Sequence, residues 1–141
     1  MSPTAKKTST GFSAEEKAAL KATLKERKSN EDGEKAVQEA LAKMAPKDRA
    51  LGKRIHAIVT ESAPGLKPKT WYGMPAYANK DGKVVVYFRD AGKFKERYAM
   101  LGFNESAKLD DGSMWPIAFA LPELTKADEA KIAKLVKKAV S

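Results

Sequence analysis

The stretch Trp71-Tyr72-Gly73-Met74-Pro75-Ala76-Tyr77 holds three aromatics, a thioether, a glycine and a proline without one charge, in a chain that is 32% charged. Apart from the two tyrosine hydroxyls, side chains of this kind carry no group that attacks or transfers protons; they stack on flat ligands and line apolar pockets. A second segment, Ser113-Met114-Trp115-Pro116-Ile117-Ala118-Phe119-Ala120-Leu121, repeats the combination of tryptophan, methionine and proline. Read as one extended strand, 71–78 sends Trp71, Gly73, Pro75 and Tyr77 to one face and Tyr72, Met74 and Ala76 to the other. In the second segment Trp115, Ile117, Phe119 and Leu121 share a face. If the two strands are neighbours, one face is core and the other lines a pocket. The candidate ligand contacts are therefore Trp71, Tyr72, Gly73, Met74, Pro75, Tyr77 and Trp115, with packing in the core as the plainer account of both segments.

Two other groups suggest different chemistry. Glu105, Asp110 and Asp111 fall in one polar connection, and carboxylate oxygens in a loop suit hard cations. Their spacing is not that of an EF-hand, and Asp110-Asp111-Gly112 also reads as an ordinary turn. Lys93, Lys95 and Arg97 stand beside Phe94 and Tyr98, the pairing that grips a nucleic-acid backbone and stacks its bases; a solvated surface accounts for them equally. His56, the only histidine, borders an apolar helical stripe and reads as structural. No serine or lysine sits in a nucleophile motif, and with no cysteine in the chain thiolate catalysis, disulfides and sulfur-ligated metals are excluded. No catalytic residue is assigned.

The elements that must position these residues follow from periodicity. Residues 1–12 form a polar leader without the apolar core of a secretory signal. Ser13 and Glu16 form a capping box for a helix running to about Lys28, an N-terminal extension over 13–30 that Asp32-Gly33 ends. A second helix over roughly 34–44 aligns Val37, Ala40, Leu41 and Met44. A third opens at Pro46, aligns Leu51, Ile55, Ile58 and Val59, and stops before Pro64-Gly65. The period then changes to two. Trp71–Ala78 is a strand, Asn79-Lys80-Asp81-Gly82 a hairpin turn, and Lys83–Phe88 a central strand apolar on both faces. Tyr98–Phe103 and Met114–Leu121 are further strands, Pro116 placing the last at an edge or bulge. Thr125 and Asp128 cap a final helix with Ile132, Leu135, Val136 and Ala139 on one face. Helices, then strands, then a helix predict an α+β domain over 31–141. Its antiparallel twisted sheet of about four to six strands packs against helices.

The net charge of +9 raises the question of a nucleic-acid partner. Seven basic against three acidic side chains lie in residues 1–30, and the remainder interleaves lysine with glutamate as solvated helix faces do. No apolar run approaches the ~18 residues of a membrane span. A cytoplasmic setting is the expectation.

The Gly73-Met74-Pro75-Ala76-Tyr77 core, followed by "KVVVYF", "YAMLGF" and "MWPIAFAL", resembles the YdhG-like family of bacterial domains of unknown function over residues 35–140. The resemblance implies a small cytoplasmic α+β fold likened to frataxin. One branch is described as an iron chaperone, which makes iron a candidate cargo for Glu105, Asp110 and Asp111. Frataxin-type binding uses an acidic ridge, whereas the first helix here is basic. The expected function is a non-enzymatic module, a monomer or weak dimer, binding a small molecule or a protein. Iron handling is the alternative, and weak nucleic-acid binding comes third.

Overall fold

A computed structural model describes residues 14–141, apart from the side chain of Glu26. The expected leader and the Ser13 cap lie outside the described residues. The chain divides into two units at Glu31/Asp32. In the first, the described residues are helical and carry Leu20 and Leu24 exposed to solvent.

The helix does not stop at Asp32-Gly33 as the sequence suggests; α1 runs from Ala14 to Ala42. Glycine there answers a packing demand. A Cβ on Gly33 would run into the backbone carbonyl oxygen of Pro68. The bare Cα thus lets residues 32–42 lie against the first strand, and Val37 and Leu41 reach the core fully buried. Helix α2 (Pro46–Ser62) starts on Pro46 as expected, with no side-chain cap. Its first turn holds a buried carboxylate, Asp48, which accepts the Gly92 amide at 3.0 Å.

The five strands are β1 (Lys67–Trp71), β2 (Met74–Ala78), β3 (Val84–Arg89), β4 (Ala99–Phe103) and β5 (Ala118–Leu121), all antiparallel in the order β1-β2-β3-β4-β5. The expected strand over 71–78 is corrected here. It is the end of one strand, a two-residue turn and the whole of the next, with Trp71 paired to Met74 across the turn. Tyr72 (φ 51°) and Gly73 (φ 76°) are both left-handed, the requirement of a type I′ hairpin. Because the chain reverses, the predicted alternation through 72 and 73 does not hold. The last strand is also shorter than expected, so Met114, Trp115 and Pro116 precede it. As expected, β3 is central. A bulge between Tyr77 and Ala78 turns both Val85 and Val86 into the core.

Residues opposite one another in a ladder project to the same side. The row Pro68–Tyr77–Val86–Phe103 faces the helices. It meets Val37 and Leu41 of α1, Ile55 and Val59 of α2, and Ile132 and Val136 of the last helix, α4 (Lys126–Val140). The predicted Thr125–Asp128 capping box on α4 is present, and the Thr125 amide holds the Asp128 carboxyl below its ordinary range. Arg54 of α2 donates to Glu129 of α4; that hydrogen bond likewise holds the Glu129 carboxyl down.

A bulky residue in the left-handed region costs about 1–2 kcal/mol that glycine or asparagine largely avoids. Tyr72→Asn is therefore expected to raise stability by about 0.5–1 kcal/mol. The check is a higher denaturant midpoint at unchanged slope.

Candidate ligand-binding site

The opposite row, Lys69–Ala76–Tyr87–Gly102–Ala118, crosses all five strands on the face turned away from the core. Three of its members, Ala76, Gly102 and Ala118, are small. The Tyr87 ring lies over Gly102, in the space a Cβ would need. Its centroid is 5.2 Å from that of Trp71, and the Tyr72 ring meets Trp71 edge-on at 5.0 Å. Three aromatic rings are thus gathered at the end of the β1–β2 hairpin. Tyr72 projects from its turn 77% exposed, and Trp71 is half-buried.

Beside Trp71 opens a groove of about 810 Å³, lined by Lys69, Trp71, Gly82, Lys83, Val84, Asn104, Glu105 and Ser106. Its walls come from sequence-distant places: β1, the β2–β3 turn, and the connection after β4. Both loop walls are tied down. Asn79 Oδ1 accepts the Asp81 and Lys83 amides at 3.0 and 3.1 Å, an Asx turn that fixes one of them. On the other side the Asn104 amide donates to the Val85 carbonyl at 3.0 Å, and Ser106 Oγ donates to the Val84 carbonyl at 2.7 Å.

The expected ligand set is divided by the fold. Trp71, Tyr72 and Met74 come together at the hairpin, Met74 buried there, with Gly73 in its turn. Pro75 and Tyr77 are fully buried on the helix side instead. Trp115 packs partly buried against the core near β5, with three strands between β1 and β5. Four strand spacings of about 4.8 Å separate those two edges, so the segments around the two tryptophans are not neighbours.

The acidic candidates do not converge. Glu105 lines the groove and Asp110 and Asp111 are exposed in the following loop. Among the described residues no group of three or more histidine or acidic side chains is placed to hold a metal. Of the basic candidates, Lys93 closes the hairpin: its Nζ donates to the Tyr72 carbonyl at 3.2 Å and lies where a Gly73 side chain would be. Lys93 belongs to the short helix α3 (Ala91–Phe94), whose cap is the buried Asp90. Lys95 ends that helix in the left-handed region, and Arg97 stacks on the Tyr98 ring at 4.9 Å. Arg89, in turn, covers the Phe94 ring at 4.1 Å and pairs with Glu96 at 2.5 Å.

His56 has a structural place after all, but a more connected one than the sequence indicates. Its Nε2 lies 2.9 Å from Glu34 Oε1 and its Nδ1 2.9 Å from Tyr77 Oη. An ionised carboxylate only accepts, so Nε2 carries a hydrogen and donates to Glu34. In the neutral ring Nδ1 then accepts from the Tyr77 hydroxyl. This relay joins α1, α2 and β2 through the core. Burial, with Glu34 adding to it, pushes the Tyr77 phenol far above its ordinary value near 10.

Sequence reasoning missed Lys69, Lys83, Tyr87 and Asn104. Tyr87 was legible as the one hydroxyl-bearing side chain in the apolar run Val84–Phe88. The other three become neighbours only through strand pairing. Compared with known proteins, the chain matches no family model, no curated protein and no solved structure.

Proposed function

We propose that this protein is a non-enzymatic binding module that holds a small ligand on the sheet face turned away from its core, around Trp71. The observation that carries this reading is the half-buried indole: Tyr72 and Tyr87 brace it, and it forms one side of a groove of about 810 Å³ with polar, anchored walls. Ligand sites typically have roughly 300–1,000 Å³ and a few fixed polar groups beside apolar surface. A core tryptophan would instead be enclosed. The YdhG-like kinship drawn from Gly73–Tyr77 and a cytoplasmic setting belong to the same proposal. The α+β architecture is compatible with the first.

The chain has two tryptophans, so the site can be read optically. Trp71→Phe and Trp115→Phe each leave a single emitter. A metabolite library is expected to shift the emission of Trp115→Phe, which keeps Trp71, and to leave that of Trp71→Phe unchanged. Responses confined to Trp115 would overturn the assignment of the site.

A further inference from the structure

The chemistry of the groove, given the proposed site at Trp71, narrows its ligand. We infer that the groove takes a planar aromatic anion of the nucleoside monophosphate type, its ring stacked on Trp71 and its phosphate held by Lys69 and Lys83.

The lining has three kinds of contact, and each addresses a different part of such a molecule. Trp71 offers a π-face, and stacking on an indole tolerates any base because every base has one. Lys69 on β1 and Lys83 at the β2–β3 turn place two exposed ammonium groups on the rim of the same groove. No carboxylate pairs with either among the described residues. Two unengaged cations at the rim favour an anion. Asn104 and Glu105 then supply the polar remainder. An amide both donates and accepts, and a carboxylate accepts from a ribose diol or an exocyclic amine.

Preorganisation supports a small ligand over a flexible chain. The turn bearing Lys83 is fixed by Asn79, and the 104–106 wall is hydrogen-bonded to β3, so little ordering remains to be done on binding. A single-stranded nucleic acid needs a cationic track that continues past the groove. Of the basic residues that the sequence singles out for this role, Lys93 is bonded to the Tyr72 carbonyl and Arg97 lies on its own neighbour's ring. A purely apolar ligand would meet Lys69, Lys83, Asn104, Glu105 and Ser106 on most sides of the groove.

The test titrates the full chain with AMP, GMP, CMP and UMP, with adenosine, and with inorganic phosphate, following Trp71 emission in the Trp115→Phe background and amide shifts by NMR. A nucleoside monophosphate is expected to quench Trp71 saturably and to shift Lys69, Lys83 and Asn104 amides. Adenosine is expected to bind roughly tenfold more weakly, the scale of one charge-assisted contact. Lys69→Gln and Lys83→Gln, both at exposed positions, are each expected to weaken binding by about threefold, half of that effect on a logarithmic scale, and to flatten its salt dependence. Equal affinity for adenosine and AMP, or indifference to both lysine substitutions, would overturn the anion assignment. Should all nucleotides and phosphate fail while another compound class moves Trp71, the ligand class is wrong and the binding site stands. If nothing moves Trp71, both fall.

Discussion

Gly33→Ala is expected to lower the folding stability of this protein by about 2 kcal/mol, although alanine is the better helix former. In an exposed helix interior the change would gain about 1 kcal/mol. Here the added methyl would collide with the Pro68 carbonyl, a backbone atom that no rotamer change can move aside. Either α1 lifts away from β1 or the edge strand shifts, and overpacking of that kind costs about 1–3 kcal/mol. The near contact is with main chain on both sides, which favours the upper end and makes the net sign negative. Urea denaturation gives the answer directly. Ser29→Ala, at an exposed position of the same helix, serves as the control and is expected to gain a few tenths of a kcal/mol. A Gly33→Ala protein as stable as the control would show that glycine is a dispensable helix interruption, as the sequence alone suggests.

The second large effect is alkaline. Tyr77 is buried, and its phenol in the folded state ionises far above the ordinary value near 10 that it has in the unfolded chain. A group whose pKa is raised on folding contributes its full stability below the unfolded value. Above pH 10 the unfolded chain loses this proton while the folded chain keeps it, so stability falls as pH rises. The slope from one such group approaches about 1.4 kcal/mol per pH unit. Between pH 10 and pH 12 the loss attributable to Tyr77 is therefore about 2–3 kcal/mol. Tyr77→Phe removes the titration. It is expected to be less stable at neutral pH by about 1–2 kcal/mol, because the His56 Nδ1 loses its partner, yet to decline less steeply above pH 10. Parallel stability curves for the two proteins across that window would mean that the phenol reaches solvent.

How much of this was legible varied with the range of the interaction. The α4 capping box needs only Thr125 and Asp128 three residues apart, and local spacing determines it. The position of β3 was legible too. A run of Val84-Val85-Val86-Tyr87-Phe88 is apolar on both faces and fits only between other strands. The Asn79–Gly82 turn carries its own signal, since the asparagine side chain fixes the turn whatever lies beyond it. The β1–β2 hairpin was not legible. A tyrosine at a left-handed position is rare enough that Trp71–Ala78 reads as unbroken alternation. That one reversal moved Pro75 and Tyr77 to the opposite side of the sheet from Trp71 and Met74.

The candidate site shows the same division. Its aromatic character was visible in Trp71 and Tyr72, because composition is a property of the chain. Its polar half was not, since Lys69, Lys83 and Asn104 share a groove only through the pairing of β1, β2, β3 and β4. Gly33 carries the lesson most plainly: the chain supplies a residue without a side chain, and the approach of Pro68, thirty-five positions away, decides whether that means a break or a contact. By itself the sequence determined element types, caps and the aromatic identity of the hairpin, because these depend on neighbours a few residues apart. Only the tertiary structure decided which face each aromatic serves and which cations join them, because strand register is set by burying the whole core at once.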